Sequence, residues 1–220
     1  MSARLSFDHE LELLNTDLIK MGALVEDAIT KSIEALKTSN HDMAREIIEQ
    51  DRQVDDMEKA IESRSLRLLM RQQPVARDLR AISTTLKMIT DLERIGDQAA
   101  DIADLSMRFQ EESAMQVSGH LEKMASIASA MVHESVDSYI QNDPEKAAGI
   151  IKRDDEVDQL FVDVKDDLVA KIGENKDLAD DAIDTLMVAK YLERIADHAV
   201  NVCEWVIFYS TGLHKKTQIL

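Results

Sequence analysis

The sequence predicts an all-α protein made of two tandem three-helix bundles, with six long helices in total. Its 220 residues include only two prolines, six glycines and 4% aromatic residues, a composition that favours helix over sheet. Apolar residues recur three and four positions apart along most of the chain, as they do in amphipathic helices. A Leu-Glu-Arg-Ile motif begins at Leu92 and again at Leu192, so we expect the architecture to be duplicated too.

Three helices are predicted in the first half. The first spans about 7–37 and ends at Ser39. Asn40 is a suitable N-cap for the second helix, which continues until Pro74 interrupts it. The third begins near Pro74, where a missing amide hydrogen does no harm, and continues to about Phe109.

The boundary between the halves is predicted at 111–119, which assigns residues 1–112 and 113–220 to the two repeats. A fourth helix should span about 118–140. Asp143 and Pro144 then provide an N-cap and a first-turn proline for a fifth helix.

The fifth helix is predicted to continue to Ile172, with Gly173 as its C-terminal glycine. Asn175 or Asp177 should cap the sixth helix, which carries the second motif to about Ser210 before Gly212 and a polar tail. The second and fifth helices also match, with 47–51 corresponding to 150–154 at an offset of 103. Each repeat is therefore a helical triplet.

The charge balance argues against several classes of partner. The net charge is −17, from 26 basic and 43 acidic residues. Nucleic acids and anionic lipid surfaces need basic side chains to neutralise phosphate, so neither is expected as a partner. Such acidity suits divalent cations or a basic protein partner.

Cellular location is predicted from the cysteine content and from apolar runs. The single cysteine, Cys203, cannot form an internal disulfide, and its apolar helical surroundings favour a buried hydrophobic role. The amino terminus lacks a signal-like apolar region, and nowhere are there 18 consecutive apolar residues. We expect a cytoplasmic protein without membrane insertion.

Four acidic pairs with i, i+4 spacing are the candidate metal ligands. Winding the sequence as a helix places them on packing faces, where unpaired charges cost several kcal/mol and need compensation, and turns both pairs of each triplet toward the groove between adjacent helices. Carboxylate-only clusters suit Mg²⁺ and Mn²⁺ or assembled iron, and zinc is less favoured without Cys or His. The pairs are Asp51 with Asp55, Glu93 with Asp97, Asp154 with Asp158, and Glu193 with Asp197, with Asp101 and Asn201 as second-tier ligands.

Two alternatives to a metal-binding adaptor remain open. The acids could be ion paired with Arg94, Arg194 or a neighbouring helix, in a purely structural bundle; their fourfold recurrence favours metal. His198 follows Asp197 directly and points about 100° away from it, so an inter-helix or surface role is expected. A metal-dependent phosphohydrolase is also conceivable, because clustered cations can activate water. It would need a general base and open coordination positions, and the sequence shows no catalytic set, so we do not expect an enzyme.

The chain resembles the PhoU family of phosphate transport and regulon accessory proteins. The resemblance covers nearly the whole chain and rests on the two motifs, 92–97 (LERIGD) and 192–197 (LERIAD), with 7–11 (FDHEL) and 71–80 (RQQPVARDLR). It implies two tandem three-helix bundles. It also implies metal clusters on an acidic residue followed four positions later by Asp, a pattern that the four pairs match.

The resemblance further implies a cytoplasmic negative regulator of phosphate uptake and of the phosphate-starvation response, without enzymatic turnover. Its implied partners are the ATPase subunit of a phosphate ABC transporter and a phosphate-sensing histidine kinase. Through them it would lie peripherally at the inner face of the membrane, and a homodimer is expected. The two motifs differ at Gly96 against Ala196 and at Asp101 against Asn201, so we expect the two metal sites to differ.

Overall fold

The computed structural model describes residues 3–72, 74, 76–109, 119–215 and 217–218. Nearly all of them are helical, and a two-stranded antiparallel hairpin, β1 (Leu213–His214) with β2 (Thr217–Gln218), follows the last helix. The helices are α1 (Ala3–Thr38), α2 (His41–Gln72), α3 (Ala76–Ser106), α4 (Gly119–Gln141), α5 (Pro144–Ile151), α6 (Asp154–Glu174) and α7 (Ala179–Thr211).

These helices form two three-helix bundles, as the sequence predicts. Helices α1, α2 and α3 pack on one another, and α4 and α7 pack with α5 and α6, which together take the third position. The bundles join along α3 and α7, with a second contact between α1 and α4. The two helices that carry the repeated motif therefore lie side by side at the centre of the molecule.

The turn that opens the second helix of each bundle is built in the same way. Asn40 Oδ1 accepts a hydrogen bond of 3.1 Å from the Met43 amide, and Asp143 Oδ1 accepts one of 2.9 Å from the Lys146 amide. The residue before each cap has a left-handed backbone, with φ of 50° at Ser39 and 51° at Asn142. Both predicted N-caps are confirmed.

The predicted fifth helix is interrupted between Ile151 and Asp154. The backbone N–H of Lys152 bonds to the Ile150 carbonyl, a tight turn that restarts as α6. The Arg153 side chain donates to Glu134 on α4 with a 2.6 Å contact, which holds the break against the bundle. The break in the helix also gives α6 its own N-terminus, where acidic residues are favoured by the helix dipole.

Two helix-end predictions have different outcomes. Gly173 lies inside α6, so its assignment as the terminating glycine is wrong. The chain leaves α6 at Asn175, whose Oδ1 accepts from the Asp177 amide at 3.0 Å, and this turn needs no left-handed residue. Gly212, with φ of 80°, ends α7 instead. The predicted division at 112/113 falls within 110–118, outside the described residues.

The core follows one stripe on each motif helix. Leu92, Ile95 and Ala99 of α3 are fully buried, and so are their counterparts on α7. Cys203 is also fully buried and unpaired, and burial raises the pKa of its thiol to about 12, as a small hydrophobic residue requires. Among the described residues, no helix carries an apolar stretch long enough to cross a bilayer.

Candidate metal centre

Three carboxylates of the first bundle converge between α2 and α3. Asp51 and Asp55 lie one turn apart on α2 and face Asp97 on α3, and each offers an oxygen within 4.8 Å of the others. Glu93 lies one turn before Asp97. A donor set made only of carboxylate oxygens fits a hard divalent cation such as Mg²⁺ or Mn²⁺. We define Asp51, Asp55, Glu93 and Asp97 as the first acid cluster.

Electrostatics in this cluster favour a bound cation. Burial, and then the charges of Asp97, Asp55 and Asp101, raise the pKa of Asp51 to about 6. The pKa of Glu93 is also raised, first by burial and then by Asp97. Like charges in a partly dry groove disfavour the ionised form, and a divalent cation reverses that balance.

The second bundle repeats the arrangement with Asp154, Asp158, Glu193 and Asp197, which we define as the second acid cluster. Burial, and then the charges of Asp197 and Asp158, raise the pKa of Asp154 to about 6. The pKa of Asp197 is raised by burial, then by Glu193 and Asp158. Within the described part of the chain, no three of these oxygens approach one another as closely as those of the first cluster, so this cluster is more open.

Basic side chains contact both clusters from outside. Arg94 donates to Asp97 Oδ2 at 2.9 Å, and its Nε lies 3.4 Å from Glu93 Oε2. In the second cluster Lys190 is hydrogen bonded to Glu193. The ion pairing considered as an alternative to metal is therefore present, but on the solvent side of the carboxylates, where Arg94 is 56% exposed.

Glu93 and Asp97 face the groove between α2 and α3, as the sequence predicted, but they lie at its rim and not in the buried stripe of α3. Leu92, Ile95 and Gly96 are buried, whereas the side chains of Glu93 and Asp97 are 19% and 32% exposed, at the rim of the α2–α3 groove. The buried stripe of α3 passes through the residue just before each acid. A shift of one residue along a helix turns the side-chain direction by about 100°. Rim placement lowers the desolvation cost of the charges and leaves the cluster open to ions from solvent.

Gly96 allows the close approach of α2 to α3. A Cβ at this position would lie 3.3 Å from Asp51 Oδ1 and 3.3 Å from Val54 Cγ1. The counterpart in the second bundle is Ala196, which is fully buried. The difference between the repeats at this position is therefore steric, and it coincides with the tighter cluster in the first bundle.

Asp101 and Asn201 connect the two bundles. Tyr191 of α7 interacts electrostatically with Asp101 of α3, and Asn201 Nδ2 of α7 donates to Asp91 Oδ1 of α3 at 3.2 Å. Asp91 and Tyr191 are equivalent in the two repeats, as are Asp101 and Asn201, so the contact is reciprocal. Both second-tier candidates thus have partners in the other bundle.

His198 has the inter-helix role that its position predicts. Its Nδ1 lies 2.9 Å from the same Asp91 Oδ1, whose side chain is only 14% exposed. Sequence reasoning did not identify Asp91 or Tyr191. Their equivalence at the 100-residue offset was a usable signal, because the two motif helices of a duplicated fold are natural neighbours.

Comparison with known proteins agrees with this architecture. The PhoU domain model matches twice, at residues 18–106 and 121–206, within the two bundles. The chain is 40% identical over 207 residues to the phosphate-specific transport system accessory protein PhoU homolog of Clostridium acetobutylicum, covering 94% of each chain. It is 31% identical to the Escherichia coli accessory protein PhoU, covering 94% of this chain and 86% of that protein.

Solved structures give the same result. The crystal structure of PhoU from Pseudomonas aeruginosa superposes with a TM-score of 0.90 at 32% identity, covering 94% of this chain and 99% of that one. The phosphate transport system regulatory protein PhoU from Streptococcus pneumoniae superposes with a TM-score of 0.86 at 29% identity, covering 94% and 97%. These relatives are named as accessory or regulatory proteins, not as enzymes.

Proposed function

Because the chain belongs to the PhoU family, we propose that it is a negative regulator of phosphate uptake and of the phosphate-starvation response. It acts by binding, as a metal-containing helical adaptor, rather than by turnover. The observation that carries the proposal is the doubled family match, which falls once on each bundle, together with the agreement of the fold with a solved PhoU structure.

The proposed metal role is to hold the helices of each bundle in one arrangement. A divalent cation or a multinuclear iron cluster on Asp51, Asp55, Glu93 and Asp97 would neutralise like charges that otherwise repel between α2 and α3. Mg²⁺, Mn²⁺ and iron fit the carboxylate donors best. The second acid cluster would do the same between α6 and α7, starting at the free N-terminus of α6.

The proposed partners are the ATPase subunit of a phosphate ABC transporter and a phosphate-sensing histidine kinase. The relatives' names place them with a phosphate transport system. A net charge of −17 supports association with basic protein surfaces. The regulator would act in the cytoplasm, as a homodimer, at the membrane's inner face through these partners.

The regulatory role can be tested in cells of the source organism that lack the gene. A reporter driven by a phosphate-starvation promoter is measured in phosphate-rich medium. We expect high expression without the gene and repression when the wild-type chain is restored, whereas Asp51→Asn with Asp154→Asn should repress less. Equal reporter activity with and without the wild-type chain would contradict the proposal.

Metal binding has its own test. Replacing Glu93 and Asp97 by alanine should lower bound metal to about half of the wild-type content, because the second cluster stays intact. Elemental analysis of protein purified without chelator or a metal-affinity column measures this content. Asp163→Ala with Asp167→Ala, an i, i+4 acidic pair outside both clusters, serves as the control and should leave the content unchanged.

A further inference from the structure

A polar groove lies between α3 and α7, where the two bundles meet. Its volume is about 590 Å³. In a chain with a net charge of −17, this groove gathers an unusual number of basic and amide side chains. They are Arg94, Gln98, Arg194, His198, Asn201 and Lys215, and the acid among them is Asp197.

The basic side chains differ in how far they are neutralised. Lys215 Nζ lies 3.0 Å from Glu204 Oε2, and His198 contacts Asp91. Arg94 is held by Asp97 and Glu93 on α3. Within the described ranges Arg194 forms no hydrogen bond and no ion pair; it interacts only at longer range with Asp101 and Tyr191, so its N–H groups remain available to bind an anion.

The repeat explains why Arg194 lacks an ion pair with its own acid cluster while the equivalent Arg94 has one. Lys190 neutralises Glu193 in the second bundle. The corresponding residue of the first bundle is Thr90, which bonds to the Leu86 carbonyl in its own helix, so Arg94 supplies the cation there. The difference between Thr90 and Lys190 therefore accounts for the different partners of the two arginines.

A buried amide in the same groove also lacks a partner. Gln98 is only 7% exposed, and its Oε1 has no hydrogen-bond partner among the described residues. A buried amide group without a partner is destabilising, so a ligand that completes its hydrogen bonding is favoured. With the amide rotated by 180°, Nε2 takes that place and becomes a donor to a bound anion.

Metal binding would change the state of Arg94. A cation bound to Asp97 and Glu93 would neutralise these carboxylates and so weaken their hold on the Arg94 guanidinium from the solvent side. Arg94 lines the groove together with Arg194, so its release adds a second guanidinium facing the same space. Guanidinium groups donate paired hydrogen bonds to tetrahedral oxyanions.

We propose that the α3–α7 groove binds a small phosphate-type oxyanion through Arg194 and Gln98, and that a cation in the first acid cluster strengthens this binding by releasing Arg94. The coupling rests on the metal role proposed above, whereas the anion site itself does not. By linkage the oxyanion also strengthens metal binding. The groove would make the adaptor responsive to cation and oxyanion together.

Equilibrium dialysis with radiolabelled inorganic phosphate tests the proposal. Protein loaded with Mg²⁺ is compared with chelator-treated protein, and the metal content of each sample is measured. We expect saturable binding to the loaded protein, about tenfold weaker binding in Arg194→Gln, and weaker binding after chelation. Arg67→Gln is the matched control, because Arg67 is exposed on α2 and its one hydrogen bond within the described part of the chain is to Ser63; it should bind like the wild type.

Several results would overturn the proposal. No saturable binding, or unchanged binding in Arg194→Gln, would remove the groove. Loss of phosphate binding in Asp51→Asn but not in Arg194→Gln would place the anion on the metal instead. Equal binding with and without Mg²⁺ would refute the coupling.

If the protein takes up no Mg²⁺ but Arg194→Gln still loses phosphate, the metal proposal fails and the groove stands. Competition with sulfate and glycerol phosphate then distinguishes free phosphate from other oxyanions and phosphoesters.

Discussion

Glu93 and Asp97 show how one position along a helix sets the chemistry of a side chain. They lie beside the buried stripe of α3 rather than within it, so they are partly shielded from water yet open to ions from solvent, and burial raises the pKa of Glu93. A fully buried acid cluster would carry a desolvation cost of several kcal/mol per charge. The rim position keeps the carboxylates available as ligands at a lower cost.

Gly96 provides a test of how closely α2 must approach α3. In Gly96→Ala, the new Cβ meets Asp51 Oδ1 and Val54 Cγ1 at 3.3 Å, so α2 must move by a few tenths of an ångström. Alanine also gains about 1 kcal/mol in helix propensity. We therefore expect weaker Mg²⁺ binding at the first cluster, measured by isothermal titration calorimetry, with the free energy of unfolding changed by less than about 1 kcal/mol.

Gly149→Ala on α5 is the control for this substitution, because nothing lies within 4 Å of its new Cβ. It should raise the free energy of unfolding by roughly 0.5–1 kcal/mol through helix propensity and leave Mg²⁺ binding unchanged. Equal Mg²⁺ affinity in Gly96→Ala and wild type would show that the close approach does not matter.

At the scale of helices, the pairing of α2 with α3 and of α6 with α7 should depend on pH. Asp51 and Asp154 have pKa values of about 6 in the folded protein, above the value of 3.8 for a free aspartate. The folded state thus binds protons more tightly between these limits, and the stability that these groups contribute falls as pH rises from about 4 to above 6. A cation bound to the carboxylates should remove this loss of stability at higher pH.

The prediction is tested with the double variant Asp51→Asn, Asp154→Asn, which cannot titrate at these positions. In metal-free protein, the unfolding free energy of the wild type minus that of the variant should decrease as pH rises from about 4 to 7. Urea denaturation at several pH values measures both. A difference that does not vary with pH would show that these two carboxyls titrate normally.

At the scale of the whole molecule, the two bundles are joined by reciprocal polar contacts as well as by the apolar core. Asp91 accepts from Asn201 and contacts His198 across the interface. Asp91→Ala should leave two partly buried groups of α7 without their partner and lower the free energy of unfolding by about 1–3 kcal/mol. Thermal or urea denaturation of metal-free protein measures this loss.

Asp104→Ala is the comparison for Asp91→Ala, since Asp104 is an exposed acid on the same helix whose contact is an ion pair of 3.6 Å with Arg108. Its effect should stay within about 0.5 kcal/mol. If both variants lose the same stability, the contacts of Asp91 do not hold the bundles together.

Sequence alone predicted much of the fold because its signals are local. Apolar spacing, the caps at Asn40 and Asp143 and the doubled motif each act within a few residues or at a fixed offset. The break before Asp154 was not predictable in the same way, because it depends on the reach of Arg153 to Glu134 on another helix. Gly173 was misread because its neighbour Asn175 offered another way to end the helix.

The sequence by itself determined the helical class, the duplication and the acid residues that repeat within it, since these follow from composition and periodicity. Only the tertiary structure decided which way the acids point, which cations accompany them and which residues join the bundles. The reason is geometric: rotation by one residue on a helix separates the core from the rim, and contacts such as Asp91 with Asn201 link positions 110 residues apart. Packing fixes both the orientation of the acids and the contacts between the bundles, and a local sequence pattern specifies neither of them.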